Sequence, residues 1–180
     1  MSGERVPEMP PPGMEASAAG RRGVDVRAAT RADVPVIHRF IVELAIYERE
    51  PNAVRGTEEM LERALFGPSP SAEALIAEVG GEPAGFAIFC GSFSTWEALP
   101  GIWLEDLYVS ERHRGAGAGR ALLARLAELA IERGCARLEW HALDWNAPAL
   151  RFYERLGADR MPEWDLHRLS GDALRRVAGS

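Results

Sequence analysis

The spacing of apolar residues predicts a chain in which strands and helices alternate. After Thr30 the apolar positions recur at helical intervals, whereas two short apolar runs on either side of Gly80-Gly81 are typical of a hairpin. Thr57 is placed to cap a second helix, which Gly67-Pro68 should end. The predicted strands are 24–26, 74–79, 84–89, 102–109, 137–142 and 165–169, the predicted helices are 31–50, 57–66, 121–132 and 146–155, and 91–101 is a loop.

The order of these elements indicates one α/β domain. Hairpin strands followed by strand, helix, strand and helix favour a mixed, mostly antiparallel sheet of about six or seven strands, with helices on both faces. Residues 1–22 are rich in Pro, Gly, Ala and Ser, and they hold too little apolar surface to offset the entropy of ordering. We therefore expect a disordered tail at 1–22 and a folded domain at 23–180.

Composition and charge exclude several classes of protein. Hydrophobic residues make up 47% of the 180 positions, as in globular proteins. No run of about 18 apolar residues is present to span a membrane. The formal net charge of −6 argues against general nucleic-acid binding and is compatible with a cationic substrate. Cys90 and Cys135 are too few for a disulfide framework and indicate a reducing, cytoplasmic setting, and the histidines show no metal-ligand spacing.

A glycine-rich loop joins the strand 102–109 to the next helix. Its alternating glycines let the backbone approach a ligand closely, and the N–H groups and dipole of the helix start favour an anion. This pattern predicts a phosphate or pyrophosphate site rather than a solvated surface loop. The segment lacks the lysine of a P-loop and the G-x-G-x-x-G of a dinucleotide-binding turn. The glycines are Gly115, Gly117 and Gly119, and the arginines that reinforce the positive charge are Arg112, Arg114 and Arg120.

The segment from Arg114 to Gly119 resembles the R/Q-x-x-G-x-G/A signature of GNAT (Gcn5-related N-acetyltransferase) acetyltransferases. Other segments resemble the spermidine/spermine (diamine) acetyltransferase branch, so that the resemblance covers about residues 24–178. It implies the GNAT fold, acetyl-CoA as co-substrate without a metal, and a homodimer. It also implies acetyl transfer to a primary amine of a small polyamine, diamine or amino-acid-like substrate. The further segments are 43–48, 104–109, 145–148 and 152–158.

By this resemblance, the loop backbone holds the pyrophosphate of coenzyme A, and the preceding strand runs along the pantetheine arm. The strands 102–109 and 137–142 should splay apart to admit that arm. The implied cofactor-binding residues are Leu107, Tyr108, Val109, Arg114, Gly115, Ala116, Gly117, Ala118, Gly119, Arg120, Asn146 and Tyr153.

Amine acetylation requires a base and benefits from an acid. An aliphatic amine with a pKa near 10.4 is protonated at pH 7, and removing the proton costs about 4 to 5 kcal/mol. The resemblance makes Glu105 the base, acting through a water, Asp106 a contact to the amine, and Tyr153 the acid for the departing thiolate. Strand alternation predicts that Glu105 and Asp106 point to opposite faces. Alternatively, the two carboxylates are solvated on an edge strand, and Tyr153 is a core aromatic beside Phe152.

Four further residues are assigned by the resemblance. Tyr47 and Glu48 at the end of the first helix, together with Trp164, line the amine pocket, although the first two also fit an ordinary helix edge. Asn146 is placed to cap a helix, and by resemblance it also contacts the cofactor region.

Other functions stay open at this point. A sensor domain that holds acyl-CoA without turnover could carry the same loop, but intact Glu105 and Tyr153 favour an enzyme. We expect direct attack of the amine on the thioester in a ternary complex, without a covalent acetyl-enzyme. The acceptor could be a polyamine or diamine, a lysine-like amino acid, an antibiotic amine, or a protein lysine or N-terminus. The acidic residues Glu48, Glu105 and Asp106 favour a small polycation.

Overall fold

The computed structural model describes residues 23–179, so the tail predicted to be disordered, 1–22, lies outside the described residues. The chain divides after Trp140 into two units. The first unit holds β1 (Val24–Ala28), α1 (Val34–Tyr47), α2 (Glu58–Phe66), β2 (Glu73–Val79), β3 (Glu82–Ser94), β4 (Leu99–Val109), α3 (Ala118–Glu132) and β5 (Leu138–Trp140). The second unit holds α4 (Ala147–Arg155) and α5 (Gly171–Ala178).

Within the described residues, five strands form one sheet in the order β1-β2-β3-β4-β5. The neighbours from β1 to β4 are antiparallel, and β5 lies parallel to β4, so the predicted mixed, mostly antiparallel sheet is confirmed. The predicted count of six or seven strands is wrong for residues 23–179, because 165–169 forms no strand. Leu166 and Leu169 are both exposed, so this segment lacks the alternating buried face of a strand. It is followed instead by α5, which the sequence did not predict.

The segment 91–101, predicted as a loop, is the end of a long hairpin. β3 and β4 continue until Ser94 pairs with Leu99. Gly91 and Gly101, the ends of the predicted loop, both lie within strands. Gly101 allows close packing there, because a Cβ would lie 2.5 Å from the hydroxyl oxygen of Ser92 and would displace that side chain.

Helices cover both faces of the sheet, as predicted. On one face, Phe40 of α1 stacks on Phe86 of β3 with ring centroids 6.2 Å apart, and the Tyr108 ring of β4 lies 5.9 Å from Phe40. On the other face, α3 packs against the antiparallel strands and buries Leu122 and Leu126. The buried residues of the α1 face are Ile37, Phe40, Leu65, Ala74, Ile76, Phe86, Ile88 and Tyr108.

A charged cluster fixes the chain where β1 leads into α1. The backbone N–H of Thr30 donates to Asp33 at 2.7 Å as part of the predicted capping box. Arg27 donates two hydrogen bonds to the same carboxylate at 2.7 and 2.8 Å, and a third at 2.8 Å to Glu78 of β2. Asp33 is buried, and its hydrogen bonds with Arg27 hold its pKa down to about 2. The cluster therefore ties β1, β2 and the start of α1 together.

Asp33→Asn should destabilise the protein by about 2 to 3 kcal/mol at pH 7. Because the folded-state pKa of about 2 lies below the ordinary 3.8, the ionised carboxylate contributes full stability above the ordinary value. That contribution is lost as the pH falls from 3.8 towards 2, so the difference between variant and parent should shrink. Urea denaturation at pH 7 and at pH 3 measures both effects.

Asp159→Asn, at an exposed aspartate, is the matched control and should change stability little. A loss at Asp33 that is no larger than at Asp159, or that is the same at both pH values, would contradict a stabilising role for the ionised pair.

Candidate active site

β4 carries one more residue than β3 at its centre. Leu104 pairs with Phe89 of β3. Asp106 pairs with Ile88, the adjacent residue of that strand, so Glu105 has no partner in the register. An extra residue of this kind is a β-bulge, which bends the strand and redirects the side chains beside it. The two adjacent carboxylates predicted to act on the amine thus stand at an irregularity of the sheet.

The prediction that Glu105 and Asp106 point to opposite faces is wrong. Asp106 lies opposite Ile88, which belongs to the buried face under α1. Cys90 follows Ile88 by two residues, shares its face, and pairs with Trp103. The indole N–H of Trp103 donates to Glu105 Oε2 at 2.9 Å, which directs Glu105 to the same side. The bulge has removed the alternation on which the prediction relied.

Three carboxylates lie near one another on this face. Burial, with smaller contributions from the charges of Glu105 and Glu48, raises the pKa of Asp106 from 3.8 to about 6. Burial also raises the pKa of Glu48, the residue that follows α1. Glu105 is exposed, whereas Asp106 and Glu48 are half-buried. We call these three residues the acidic group. Glu105 was predicted as the base, and Asp106 and Glu48 were predicted to contact the amine or line its pocket; the structure brings the three together.

The end of α1 also contacts the glycine-rich loop. The helix stops at Tyr47 rather than near residue 50, and Arg49 adopts a positive φ of 66° as the chain turns away. The guanidinium of Arg114 lies 4.8 Å from the centre of the Tyr47 ring, a cation–π contact. Arg114 Nε also donates to the carbonyl oxygen of Val109 at 3.5 Å. A residue predicted for the amine side and one predicted for the cofactor side therefore touch.

α3 begins inside the glycine-rich loop, earlier than the predicted residue 121. Gly115 and Gly117 have φ values of 83° and 98°, in the left-handed region that favours glycine. The first hydrogen bond into the helix runs from the N–H of Ala121 to the carbonyl oxygen of Gly117. The N–H groups before it have no acceptor within the helix, and the described residues supply none. They belong to Ala118, Gly119 and Arg120.

The pairing of β4 with β5 ends at Leu104, directly before Glu105 and Asp106. The parallel register joins Ile102–Leu104 to Leu138–Trp140, and no strand of residues 23–179 pairs with 105–109 on that side. Pairing thus ends in the region where we predicted the strands to diverge. The side chain of Tyr108 is buried and donates to Glu43 of α1 at 3.1 Å, which restricts its predicted cofactor contact to the backbone.

Two residues of this region were not predicted as site residues. Glu43 holds the Tyr108 hydroxyl, and Trp103 holds Glu105. The sequence contained one usable signal, because Trp103 and Glu105 are two positions apart in a predicted strand and so share a face when the strand is regular. The contact of Glu43 depends on how α1 packs against β4, for which the sequence has no local signal.

The second unit contains the remaining predicted site residues. Asn146 caps α4 by accepting a hydrogen bond from the N–H of Ala149 at 3.3 Å, so its predicted capping role is confirmed. Tyr153 lies in α4, half-buried, with its ring centroid 5.4 Å from that of Phe152. Trp164 is 64% exposed. The contacts of these residues with cofactor or substrate stay predictions.

Within residues 23–179, no group of three or more His, Cys, Asp or Glu side chains is arranged to hold a metal ion. None of the helices described there has the length and apolar character needed to cross a membrane. Cys90 and Cys135 are free thiols, each half-buried.

Comparison with known proteins identifies the family. Residues 41–158, which include the acidic group and the glycine-rich loop, match the sequence profile described as "Acetyltransferase (GNAT) family". The chain belongs to the GNAT acetyltransferase family. It is 38% identical to a protein of Bos taurus named thialysine N-epsilon-acetyltransferase, over 87% of this chain and 98% of the relative. It is 30% identical to L-ornithine N5-acetyltransferase NATA1 of Arabidopsis thaliana, over 91% of this chain and 92% of the relative.

A solved structure shows the same fold. An integron cassette protein from the mobile metagenome of V. cholerae superposes on this GNAT protein with a TM-score of 0.73 and 28% identity, over 88% of this chain and 99% of the other. The resemblance drawn from the segment Arg114 to Gly119 is confirmed. The protein is a GNAT N-acetyltransferase, and its family implies acetyl-CoA as the co-substrate.

Asp106→Asn should stabilise the GNAT protein by about 1 to 2 kcal/mol at pH 7.5. The folded-state pKa of about 6 lies above the ordinary 3.8, so between these values the folded state keeps a proton that the unfolded state has lost. Stability therefore falls as the pH rises through this window, and an uncharged Asn avoids the loss. Urea denaturation at pH 7.5 should show the gain, and at pH 4.5 the gain should be much smaller.

The exposed-site variant Asp159→Asn again serves as the control. If Asp106→Asn gives no gain at pH 7.5, or an equal gain at both pH values, the carboxylate is not held in an environment that disfavours its charge.

Proposed function

We propose that this GNAT protein transfers the acetyl group of acetyl-CoA to a primary amine of a small acceptor that carries more than one positive charge. The acceptor is a diamine, a polyamine or a basic amino acid. The amine attacks the thioester directly in a ternary complex. Two similar proteins are named for thialysine and ornithine, which supports an acceptor of this class.

The acidic group is the observation that carries this proposal. Asp106 is subject to burial and to the negative charges of Glu105 and Glu48, with no cation among the influences on its pKa. An ammonium ion placed within about 4 to 6 Å would favour the ionised carboxylates and relieve their mutual repulsion. A second ammonium on the acceptor, beyond the amine that reacts, is therefore the chemical feature that these residues fit.

Glu105 and Asp106 have different tasks in this mechanism. The reacting amine must first lose a proton, at a cost of about 4 to 5 kcal/mol at pH 7. The exposed carboxylate of Glu105 suits the general base, because a water molecule can carry the proton from the amine to it and then to solvent. The half-buried Asp106 suits binding of the substrate charge, since it is partly shielded from water.

The first unit fits coenzyme A at two places. The N–H groups at the start of α3 and the helix dipole favour a pyrophosphate. A Cβ at Gly115 would meet no atom within 4 Å, so the loop is open to close approach. The unpaired edge of β4 at 105–109 leaves backbone groups available for the amides of the pantetheine arm. The acetyl thioester supplied by the bound co-substrate is the electrophile of the reaction.

Release of coenzyme A, followed with a thiol reagent, tests the proposal across a set of acceptors. The set comprises spermidine, putrescine, lysine, thialysine, ornithine and an aminoglycoside. Butylamine is the matched control for putrescine, because it has the same carbon chain and one amine fewer. We expect kcat/KM for putrescine or another acceptor of the proposed class to exceed that for its single-amine counterpart by at least about tenfold, equivalent to 1.4 kcal/mol.

Equal rates with one-amine and two-amine acceptors would show that the acidic group does not select a second charge. No release with any of these amines, despite measured acetyl-CoA binding, would favour a protein or peptide acceptor, or a domain that binds acyl-CoA without turnover.

Tyr153 completes the proposed mechanism as the acid for the departing thiolate. Tyr153→Phe should lower kcat by about 10- to 100-fold with little change in the affinity for acetyl-CoA, because the hydroxyl acts in the transition state. Phe152→Leu is the control, since it removes the neighbouring ring at 5.4 Å and leaves the phenol intact. Steady-state kinetics and calorimetric titration of coenzyme A separate the two effects. An unchanged kcat in Tyr153→Phe would remove this residue from the mechanism.

A further inference from the structure

We propose that Trp103 is a positioning residue, whose indole N–H holds the carboxylate of Glu105 in the orientation needed to accept the proton of the amine. This inference rests on the proposed role of Glu105 as the base. It assigns a function to a residue outside the GNAT loop signature, on the strength of its hydrogen bond to the side chain that stands at the β-bulge.

Glu105 needs such support because the sheet does not hold it. It is the bulge residue of β4, without a partner in the β3 register. On the other side, the pairing with β5 ends at Leu104. Its side chain is also exposed, and a long side chain in solvent keeps much of its rotational freedom. A base that must meet a proton at hydrogen-bond distance works poorly unless something restricts this freedom.

Trp103 is well placed to impose that restriction. Its backbone is paired on both sides, with Cys90 of β3 and with Glu139 of β5. Its ring is half-buried, and its indole N–H donates to Glu105 Oε2 at 2.9 Å. Trp103, two residues before the bulge residue, is therefore fixed in the sheet. Its side chain contacts that of Glu105, which the sheet does not fix.

The chemistry of the donor suits a base within an acidic group. Indole is a donor only and carries no charge, so it orients the carboxylate without neutralising it. An arginine or lysine at the same place would pair with the carboxylates and reduce their attraction for a cationic acceptor. The bond engages Oε2 of Glu105 and leaves Oε1 to receive the proton. It also opposes the repulsion between Glu105 and the neighbouring Asp106.

A pair of variants that differ in one hydroxyl tests the hydrogen bond. Trp103→Phe keeps an aromatic ring and removes the donor, whereas Trp103→Tyr keeps a ring of the same size and restores an O–H donor. We expect Trp103→Phe to lower kcat about tenfold, part of the 10²- to 10⁴-fold that a general base contributes, with the KM for acetyl-CoA little changed. Trp103→Tyr should retain more activity than Trp103→Phe. Equal losses in the two variants would overturn the role of the donor.

A double-mutant cycle with Glu105→Gln separates positioning from a general structural effect. Residual activity is measured at pH 9, where more of the amine is already deprotonated. In the Glu105→Gln background, Trp103→Phe should cause little further loss, because no base remains to be positioned. A tenfold loss that persists in this background would overturn the proposal, since it would report damage unrelated to Glu105.

The same cycle distinguishes the two proposals. If Glu105→Gln lowers kcat strongly at neutral pH while Trp103→Phe has no effect, the base is confirmed and the positioning role of Trp103 is overturned. If Glu105→Gln has no effect, the proposed base is wrong, and the role of Trp103 is overturned with it.

Discussion

The β-bulge at Glu105 is the constraint on which the arrangement of the site depends. In a regular strand two consecutive carboxylates would lie on opposite faces of the sheet, whereas the bulge at Glu105 leaves both Glu105 and Asp106 on the α1 face. The bulge also follows directly on the last residue of β4 that pairs with β5. The bulge thus places the carboxylates of Glu105 and Asp106 on the α1 face. It also lies next to the point where β4 is no longer paired with β5. The grouping of Glu105 with Asp106 follows from this local change in strand pairing, and the β4 edge proposed to bind the cofactor begins beside it.

Asp33 and Asp106 show that the surroundings of a carboxylate decide whether its charge stabilises or destabilises the folded protein. Asp33 is buried with Arg27 beside it, and its pKa is lowered to about 2. Asp106 is half-buried beside two other acids, and its pKa is raised to about 6. The first arrangement stabilises the folded chain at neutral pH, and the second weakens it. A carboxylate that reduces stability when ionised, as Asp106 does beside Glu105 and Glu48, is a candidate for a functional site.

Features that depend on neighbouring residues along the chain could be predicted from the sequence. Features that depend on the pairing between strands could not. The caps at Thr30, Thr57 and Asn146 follow from local hydrogen bonds, and each is present. The glycine-rich loop could likewise be interpreted from spacing alone. The bulge arises where two strands differ by one residue, and no pattern within β4 reveals that difference. The hairpin end near Ser94 and Leu99 was missed because backbone pairing continues there although Phe93 and Leu99 are exposed. The prediction of a strand at 165–169 was wrong because Leu166 and Leu169 are exposed and form no buried strand face.

α1 connects the two halves of the proposed reaction. Its last residue, Tyr47, stacks against Arg114 of the glycine-rich loop, and the next residue, Glu48, belongs to the acidic group. One turn earlier, Glu43 accepts the hydrogen bond of Tyr108 and fixes the helix to β4. The surface proposed for the cofactor and the surface proposed for the amine therefore both contact the same helix end. A ternary mechanism depends on holding two substrates in a fixed mutual orientation, which can supply several kcal/mol of the barrier reduction. A displacement of this helix end would alter both proposed surfaces at once, so we expect the pairs that fix it to influence catalysis without touching the reacting atoms.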